Sequence, residues 1–338
     1  MALLAPLILL LAACGAETSP TPLHLPGAPE PASAPAASPT PLPAAEGRIA
    51  FSKAHDIWLW EAGADQQLTS VGSVQNPAWS PDGTALAFDR ASKNSADLWL
   101  LPYPNGPARP LASNAALRVD DNFWEMQPAW SPDGQALIYA SDRGRVRTGT
   151  LDLAAWRMVL ATRTRAQLSG ANAYTGGIDY PNWRPASSSE VLYTSWTYLP
   201  NDPDSFGQLV LLDTQANKLW PLTERAETAM QASWSPDGRF LAFVRRLQGQ
   251  DQIWLAPMPL QVDANTNLLD GATLLVAGTN AHPVWSPRGD AIAYIGLQDG
   301  TFDLFLRSLD GSMGPGAKPR QLTRGLQVDA DSAISWTS

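Results

Sequence analysis

A tryptophan recurs at a nearly constant interval along most of this 338-residue chain, and this repeat limits what the chain can fold into. Each copy stands in a similar short segment, such as PAWSPDGTALAF or ASWSPDGRFLAF. The positions are Trp79, Trp130, Trp183, Trp234, Trp285 and Trp336, separated by 51, 53, 51, 51 and 51 residues. A motif repeated at such a period is typical of proteins built from one supersecondary unit many times over. The sequence therefore predicts a repeat protein.

Each repeat is expected to form four short strands. The first strand ends at the tryptophan, and Ser-Pro-Asp-Gly then predicts a turn, because Pro pre-sets φ and Gly accepts a positive φ. Alternating apolar residues follow as a second strand, for example at 85–89, and a third follows at 97–101. The fourth is short, as at 321–324. Strands of this length separated by turns indicate sheets of consecutive hairpins.

The sixth repeat is split between the two ends of the chain. The sequence stops just after Trp336, and the strands that this repeat lacks are matched by Arg48–Ser52, Asp56–Trp60 and Gln67–Thr69. A C-terminal strand that completes a sheet begun near the N-terminus would close a ring and remove unpaired sheet edges. The predicted fold is all-β: a six-bladed β-propeller of four-stranded blades over residues 47–338, closed by pairing of the N- and C-terminal strands.

The repeated motif resembles that of a known family. The pattern W-S-P-D-G-x-x-[IL]-A-[FY], followed by D-[IL]-W-L and then L-T, resembles the WD40-like repeat of TolB-type propellers over roughly residues 47–338. This resemblance implies the fold and says little about function. The third segment departs from the pattern, because Arg184-Pro185-Ala186-Ser187 stands where the others have Ser-Pro-Asp-Gly. The additional N-terminal α/β domain of periplasmic TolB is also not found, so the partners of TolB are not carried over.

The N-terminal segment predicts export and lipid attachment. Residues 2–13 are apolar and uncharged, which is too short a run to span a bilayer of about 30 Å but suits a signal peptide. Leu11-Ala12-Ala13-Cys14 matches a bacterial lipobox, and Cys14 is the only cysteine. We predict a lipoprotein signal peptide at 1–13, a lipid on Cys14 and a Pro/Ala-rich tether at 14–46. The alternative is an ordinary secretory signal with an incidental cysteine.

Composition excludes several functional classes. The formal charge of −9 argues against binding nucleic acid or an anionic membrane through charge, so membrane contact is expected through the N-terminal lipid alone. One cysteine and three widely spaced histidines cannot form a His/Cys zinc cluster. We therefore expect no metal and no cofactor. The predicted location is the bacterial cell envelope, outside the cytoplasm.

The chain is not expected to be an enzyme. Propellers of the TolB type also precede the hydrolase domain of prolyl-oligopeptidase-like peptidases, but the sequence has no G-x-S-x-G elbow. The aspartates of the Ser-Pro-Asp-Gly turns are explained by turn chemistry, and the repeat tryptophans by packing between blades. The alternative function is a polysaccharide hydrolase or lyase that uses Asp121, Glu125 and Asp179.

Candidate ligand-binding residues lie in three long insertions, at 113–127, 164–180 and 196–207. Strand alternation places them on the face that carries the connections between blades, here called the loop face, opposite the turn face that carries the Ser-Pro-Asp-Gly turns. Aromatic side chains beside carboxylates suit a sugar, a peptide or a cationic group. The alternative is that these loops pack on themselves. The candidates are Asp120, Asp121, Trp124, Glu125, Tyr174, Asp179, Tyr180, Trp196 and Tyr198.

A second candidate group occupies one equivalent position, three residues before the repeat tryptophan. We expect these residues at the mouth of the central channel, either as ligand contacts or as a solvated wall. They are Asn76, Gln127, Tyr180, Gln231 and His282, with Ala333 in the sixth repeat. Together the two groups predict a non-catalytic, lipid-anchored envelope protein that binds a protein, peptide or glycan partner.

Overall fold

Six four-stranded antiparallel sheets make up the described part of the protein in the computed structural model, and their strands follow chain order except that the C-terminal strand joins the first sheet. The structure describes residues 46–338 except 117, 119–120, 145–152, 171–175, 186, 199–204, 225–226, 311–313, 315 and 317. Blade 1 is β24(Ser335–Thr337), β1(Arg48–Lys53), β2(Asp56–Glu61) and β3(Ala64–Gln67). Blade 2 is β4(Val74–Trp79), β5(Ala85–Ala91), β6(Ala96–Pro102) and β7(Arg109–Pro110); blade 3 is β8(Glu125–Trp130), β9(Ala136–Ser141), β10(Ala154–Val159) and β11(Arg165–Gln167).

The other three blades repeat this order. Blade 4 is β12(Ile178–Trp183), β13(Glu190–Tyr198), β14(Ser205–Asp213) and β15(Lys218–Pro221). Blade 5 is β16(Ala229–Trp234), β17(Phe240–Leu247), β18(Gln250–Pro257) and β19(Thr273–Val276). Blade 6 is β20(Asn280–Trp285), β21(Ala291–Gln298), β22(Thr301–Ser308) and β23(Arg320–Gln321). The predicted fold is confirmed: the chain is an all-β, six-bladed β-propeller.

Ring closure also follows the prediction. The last strand, β24, pairs antiparallel with β1, and Ile49 lies opposite Trp336. The indole N–H of Trp336 donates to the carbonyl of Glu46 at 3.1 Å. Blade 1 therefore takes its inner strand from the C-terminus and its other strands from the N-terminal part of the described chain. This pairing gives blade 1 four strands in the same inner-to-outer arrangement as the other five blades.

The hydrophobic core is divided into six clusters, one between each pair of neighbouring blades. The repeat tryptophan of each blade packs against the blade before it; Trp79, for example, joins Ala50 and Leu59 of blade 1. The indole N–H groups of Trp130 and Trp285 donate to backbone carbonyls of the preceding blade, at 3.0 and 3.2 Å. The predicted role of these residues in blade packing is confirmed.

The Ser-Pro-Asp-Gly turns are closed by their own side chains. In blade 2 the hydroxyl of Ser80 donates to Asp82 at 2.6 Å and accepts the N–H of Ala85 at 3.0 Å. Blades 3 and 5 repeat these bonds. The hydroxyl bond lowers the pKa of Asp82, Asp133 and Asp237. These aspartates therefore have the structural role that the sequence predicted.

Two features of the fold differ from expectation. Strands reach further into the insertions than the sequence indicated: β8 begins at Glu125, β12 at Ile178, and β13 continues to Tyr198. A further insertion between β18 and β19 was not predicted; it forms a 3-10 helix at Leu268–Gly271, and the N–H of Leu268 donates to Leu222 of blade 4 at 2.8 Å. This hydrogen bond joins the insertion of blade 5 to blade 4.

Within the described part of the chain, no helix has the length and apolar character needed to span a membrane.

Candidate ligand-binding face

The five predicted channel-mouth residues share an unusual backbone conformation. Each has a positive φ, between 49° and 56°, at a bulge where the inner strand shifts its register against the second strand. A bulge leaves its extra residue unpaired, so that a proline, which has no N–H, can follow without loss of a strand hydrogen bond. Proline does follow in four of the five. The positions are Asn76, Gln127, Tyr180, Gln231 and His282, and all five border one central cavity.

The bulges turn these side chains toward neighbouring blades. The Gln127 side chain accepts the N–H of Tyr180 at 2.9 Å, and that of Gln231 accepts the N–H of His282 at 3.0 Å. Asn76 accepts the N–H of Ala333 at 2.9 Å. Each of these bonds joins one blade to the next. The structure therefore brings the predicted group together, and it gives several members a role in holding the ring.

Two residues that the sequence analysis overlooked complete this network. Asp89, on β5, accepts the side chain of Asn76 at 2.9 Å and the N–H of Gln127 at 2.8 Å. Thr194, on β13, accepts the N–H of Gln231 at 3.2 Å. Both lie on second strands, where the repeat pattern shows only alternating apolar residues. No sequence signal marked them, because the backbone N–H groups that they accept, those of Gln127 and Gln231, come from the next blade, about 40 residues away.

Tyr180 closes the channel at the loop face. Its hydroxyl donates to the carbonyl of Asp331 at 3.0 Å, which joins blade 4 to the segment before β24 in blade 1, on the opposite side of the ring. Its ring also meets the imidazole of His282 edge-on, with centroids 4.8 Å apart. The cavity below this bridge has a volume of about 280 Å³ and is bordered mainly by proline and small side chains of the inner strands. It extends toward the turn face.

Burial shifts the ionisation of the groups around Tyr180. Desolvation raises the pKa of Asp89 to about 6 and also raises the pKa of Asp179, although both carboxylates accept hydrogen bonds. Desolvation lowers the pKa of His282 to about 3, so this imidazole is neutral at physiological pH. Desolvation, followed by the charges of Asp179, Asp89 and Asp331, raises the pKa of Tyr180. The charges that act on Tyr180 at the closed mouth are therefore those of carboxylates.

The predicted ligand face contains residues in different situations. Glu125 is fully buried, with ion pairs to Arg143 at 3.2 Å and Arg165 at 2.9 Å. Asp179 accepts the indole N–H of Trp196 at 2.6 Å and the side chain of Gln127 at 3.1 Å. Both were expected on an exposed surface. They lie deeper because β8 and β12 begin earlier than predicted, so these residues belong to strands.

The remaining candidates are only partly described. Trp124 is half-buried, and its N–H donates to Asp142 at 2.8 Å. Asp121 is exposed and lies 4.0 Å from Arg118. Asp120, Tyr174 and the predicted lipid site Cys14 lie outside the described residues, as does the side chain of Tyr198. Among the described residues, no group of three or more His, Cys, Asp or Glu side chains is arranged to hold a metal ion. Ligand binding at this face stays a prediction.

The fold defines the chain as a six-bladed β-propeller, and comparisons with known proteins show its similarity to TolB. The crystal structure of TolB from Acinetobacter baumannii superposes with a TM-score of 0.60 at 18% identity, covering 86% of this chain and 66% of that one. The Tol-Pal system protein TolB of Francisella tularensis subsp. holarctica is 23% identical over 70% of this chain and 49% of its own. The predicted family resemblance is confirmed.

Other comparisons are less specific. An uncharacterized peptidase, YuxL, of Bacillus subtilis is 22% identical over 54% of this chain. No family model matches the sequence. This chain spans about a third of the length of YuxL and about half that of TolB, at 31% and 49%. The likeness therefore concerns the propeller.

Proposed function

We propose that this chain is a lipid-anchored, non-catalytic protein of the bacterial envelope, and that its loop face binds a basic segment of a protein or peptide partner. One observation carries the proposal: Asp89, Asp179 and Asp331 surround the closed channel mouth at Tyr180, and within the described residues none forms an ion pair with Lys or Arg. Unpaired carboxylates of this kind attract a cationic partner.

Relatives support the envelope role. The F. tularensis relative is named a Tol-Pal system protein, and the lipobox at Leu11–Cys14 independently favours an envelope location. A glycan is the alternative ligand at this face. The half-buried Trp124 and Trp196 suit either partner, because large aromatics contribute strongly to binding when they are desolvated.

The arrangement of carboxylates favours binding over catalysis. Hydrolysis of a glycosidic bond needs two carboxyl groups that face one another across the substrate. Glu125 is held between two arginines, Asp179 is bonded to Trp196 and Gln127, and Asp121 lies on the surface near Arg118. Each of the three has its own partners, so they do not form a matched pair. The peptidase activity in the name of YuxL is not carried over, since this sequence lacks the G-x-S-x-G elbow.

The partner site is tested by capture from membranes with the anchored protein. Trp124→Ala should weaken capture by well over tenfold if Trp124 is a hot spot, while the thermal midpoint stays close to that of the wild type. Trp220→Ala is the matched control, because Trp220 is also half-buried but lies on β15 at the outer rim. If Trp124→Ala lowers stability and retains capture, the loop aromatics are structural and the proposed site is wrong.

The lipid anchor is tested separately. Cys14→Ser should move the protein from the membrane fraction to the soluble fraction, because the thiol that accepts the lipid is lost. Wild type and variant would be compared in detergent-free extracts. Unchanged partitioning would contradict the lipid assignment and leave the partner site unaffected.

A further inference from the structure

At three of the six junctions on the turn face, the turn glycine of one blade lies close to the turn of the blade before it. A Cβ at Gly134 would stand 3.8 Å from Pro81, one at Gly289 would stand 3.5 Å from Pro236, and one at Gly238 would stand 3.0 Å from the carbonyl of Pro185. These contacts close the turn face between neighbouring blades.

Blade 4 breaks this series. Trp183 pairs with Val191 across its turn, whereas Trp130 pairs with Leu137, so the turn of blade 4 is one residue longer. Ser187 takes the place of the turn glycine. Its N–H donates to the carbonyl of Arg184 at 3.1 Å, which is the equivalent of the bond from the N–H of Gly83 to the carbonyl of Ser80, at 2.9 Å, in blade 2. No glycine of blade 4 therefore approaches Pro132 of blade 3.

A cleft of about 460 Å³ lies between the two turns at this junction. It is bordered by Ser131, Pro132, Asp133, Arg157, Trp183, Ser187 and Ser188. The sequence marks this junction, because Arg184-Pro185-Ala186-Ser187 stands where other repeats have Ser-Pro-Asp-Gly.

The cleft offers donors and acceptors in balance. Arg157 is exposed, and its charge helps to lower the pKa of the neighbouring Asp133, so the two charges offset each other. The hydroxyl of Ser131 is committed within its turn, which leaves that of the exposed Ser188 available. Trp183 is 8% exposed, and its indole N–H is buried beneath the cleft with no partner among the described residues.

These properties select the class of ligand. A phosphate or carboxylate would face Asp133, and an ammonium group would face Arg157. An uncharged ligand whose hydroxyls both donate and accept satisfies both side chains, and its apolar ring face can pack on Pro132 and Trp183. We propose that the cleft between blades 3 and 4 is a binding site for a single sugar ring, such as one unit of an envelope glycan. This site is on the opposite face from the proposed partner site and does not rest on it.

The test uses the indole N–H of Trp183 as a reporter. The folded propeller, labelled with ¹⁵N, would be titrated with glucose, galactose and N-acetylglucosamine, and the Trp183 signal would be assigned by its loss in Trp183→Phe. At least one sugar should shift this signal saturably, with a Kd in the millimolar range. Asp133→Asn should weaken binding by about tenfold or more, the usual effect of losing a hydrogen bond to a charged group.

Asp82→Asn is the matched control, because Asp82 makes the same turn hydrogen bonds in blade 2 but borders no such cleft. It should leave sugar binding unchanged. The proposal is overturned if none of the sugars shifts the signal, or if Asp133→Asn and Asp82→Asn bind equally well. It is also overturned if N-acetylglycine methylamide, a peptide-backbone probe, shifts the signal and the sugars do not.

Discussion

The two faces of this propeller are stabilised by different kinds of hydrogen bond. On the turn face the bonds of three blades are local: Ser80, Asp82 and Ala85 belong to one turn, and the pattern recurs in blades 3 and 5. Blade 4 is the exception, because the side chain of Arg184 donates to the carbonyl of Gly238 in blade 5 at 3.0 Å. On the loop face the bonds join blades, as between Gln127 and Tyr180, and the partners differ from one junction to the next. Repetition in sequence therefore accounts for the turn face, whereas the loop face depends on individual residues far apart in the chain.

The largest expected effect comes from the C-terminal segment, which reaches both faces. Deletion of 331–338 removes β24 and the loop-face bonds of Ser332 and Asp331, so it should cost at least about 3–5 kcal/mol of unfolding free energy, the usual loss for a large core residue. Deletion of 335–338 alone removes the strand and keeps those loop-face bonds. Chemical denaturation of both variants would measure what the loop-face bonds add. An unchanged midpoint for the longer deletion would mean that the ring does not close through β24.

The second-largest loss of stability is expected from removal of a buried charge on the loop face. Glu125→Gln leaves Arg143 and Arg165 without their counter-charge in a partly buried network, which typically costs about 3–5 kcal/mol. The matched change on the turn face, Asp237→Asn, keeps an acceptor for Ser235 on an exposed turn and should stay within about 0.5 kcal/mol. Urea midpoints would test the contrast. Similar losses of stability at the two sites would show that the buried charge of Glu125 contributes no more to stability than the exposed charge of Asp237.

The loop face should also show opposed pH effects. Because burial raises the pKa of Asp89 from 3.8 to about 6, the folded state keeps this proton longer than the unfolded chain, and stability falls as pH rises from about 4 to about 6. The pKa of His282 falls from 6.5 to about 3, so stability falls as pH decreases through the same window. The two slopes largely cancel in the wild type.

Single variants should reveal each slope. Asp89→Asn retains an oxygen for both hydrogen bonds and should gain up to about 3 kcal/mol above pH 6, the equivalent of about two pKa units. It should lose stability on acidification. Asn tolerates the positive φ at position 282, so His282→Asn should fold and should lose stability as pH rises from about 4 to about 6. Denaturation midpoints on both sides of the window would measure this. A profile that is parallel to the wild type in both variants would contradict the assigned shifts.

The same contrast explains what the sequence could predict. Six copies of one motif predicted the blades, the turns and the closure of the ring, because each depends on residues within one repeat. Asp89 and Thr194 were missed because Gln127 and Gln231, whose backbone N–H groups they accept, belong to the next blade. Glu125 and Asp179 were assigned to exposed loops, since composition does not show where an insertion ends and an inner strand begins. Burial at that boundary is a tertiary property.

The smallest expected effect tests the comparison most directly. The hydroxyls of Ser80, Ser131 and Ser235 each donate to a turn aspartate at 2.6 Å and accept the backbone N–H of a residue five positions later. Replacement of each serine by alanine removes these two shared bonds, so each should cost about 1–3 kcal/mol, at about 0.5–1.5 kcal/mol for each hydrogen bond. The hydroxyls of Ser80 and Ser235 also accept the N–H of the residue four positions later, at 3.2 and 3.1 Å.

Alanine at the bulges should behave differently from blade to blade. Within the described residues, the Gln127 side chain has two bonds, to Tyr180 and Asp179, whereas that of Gln231 has one, to His282. Gln127→Ala should therefore cost more than Gln231→Ala, while the three serine variants agree with one another. Unfolding free energies measured under one condition would give the variation among the three serine variants and that between the two glutamine variants. If the serine variants scatter as widely as the glutamine variants, the turn face is not governed by local bonds, and the distinction between the two faces is wrong.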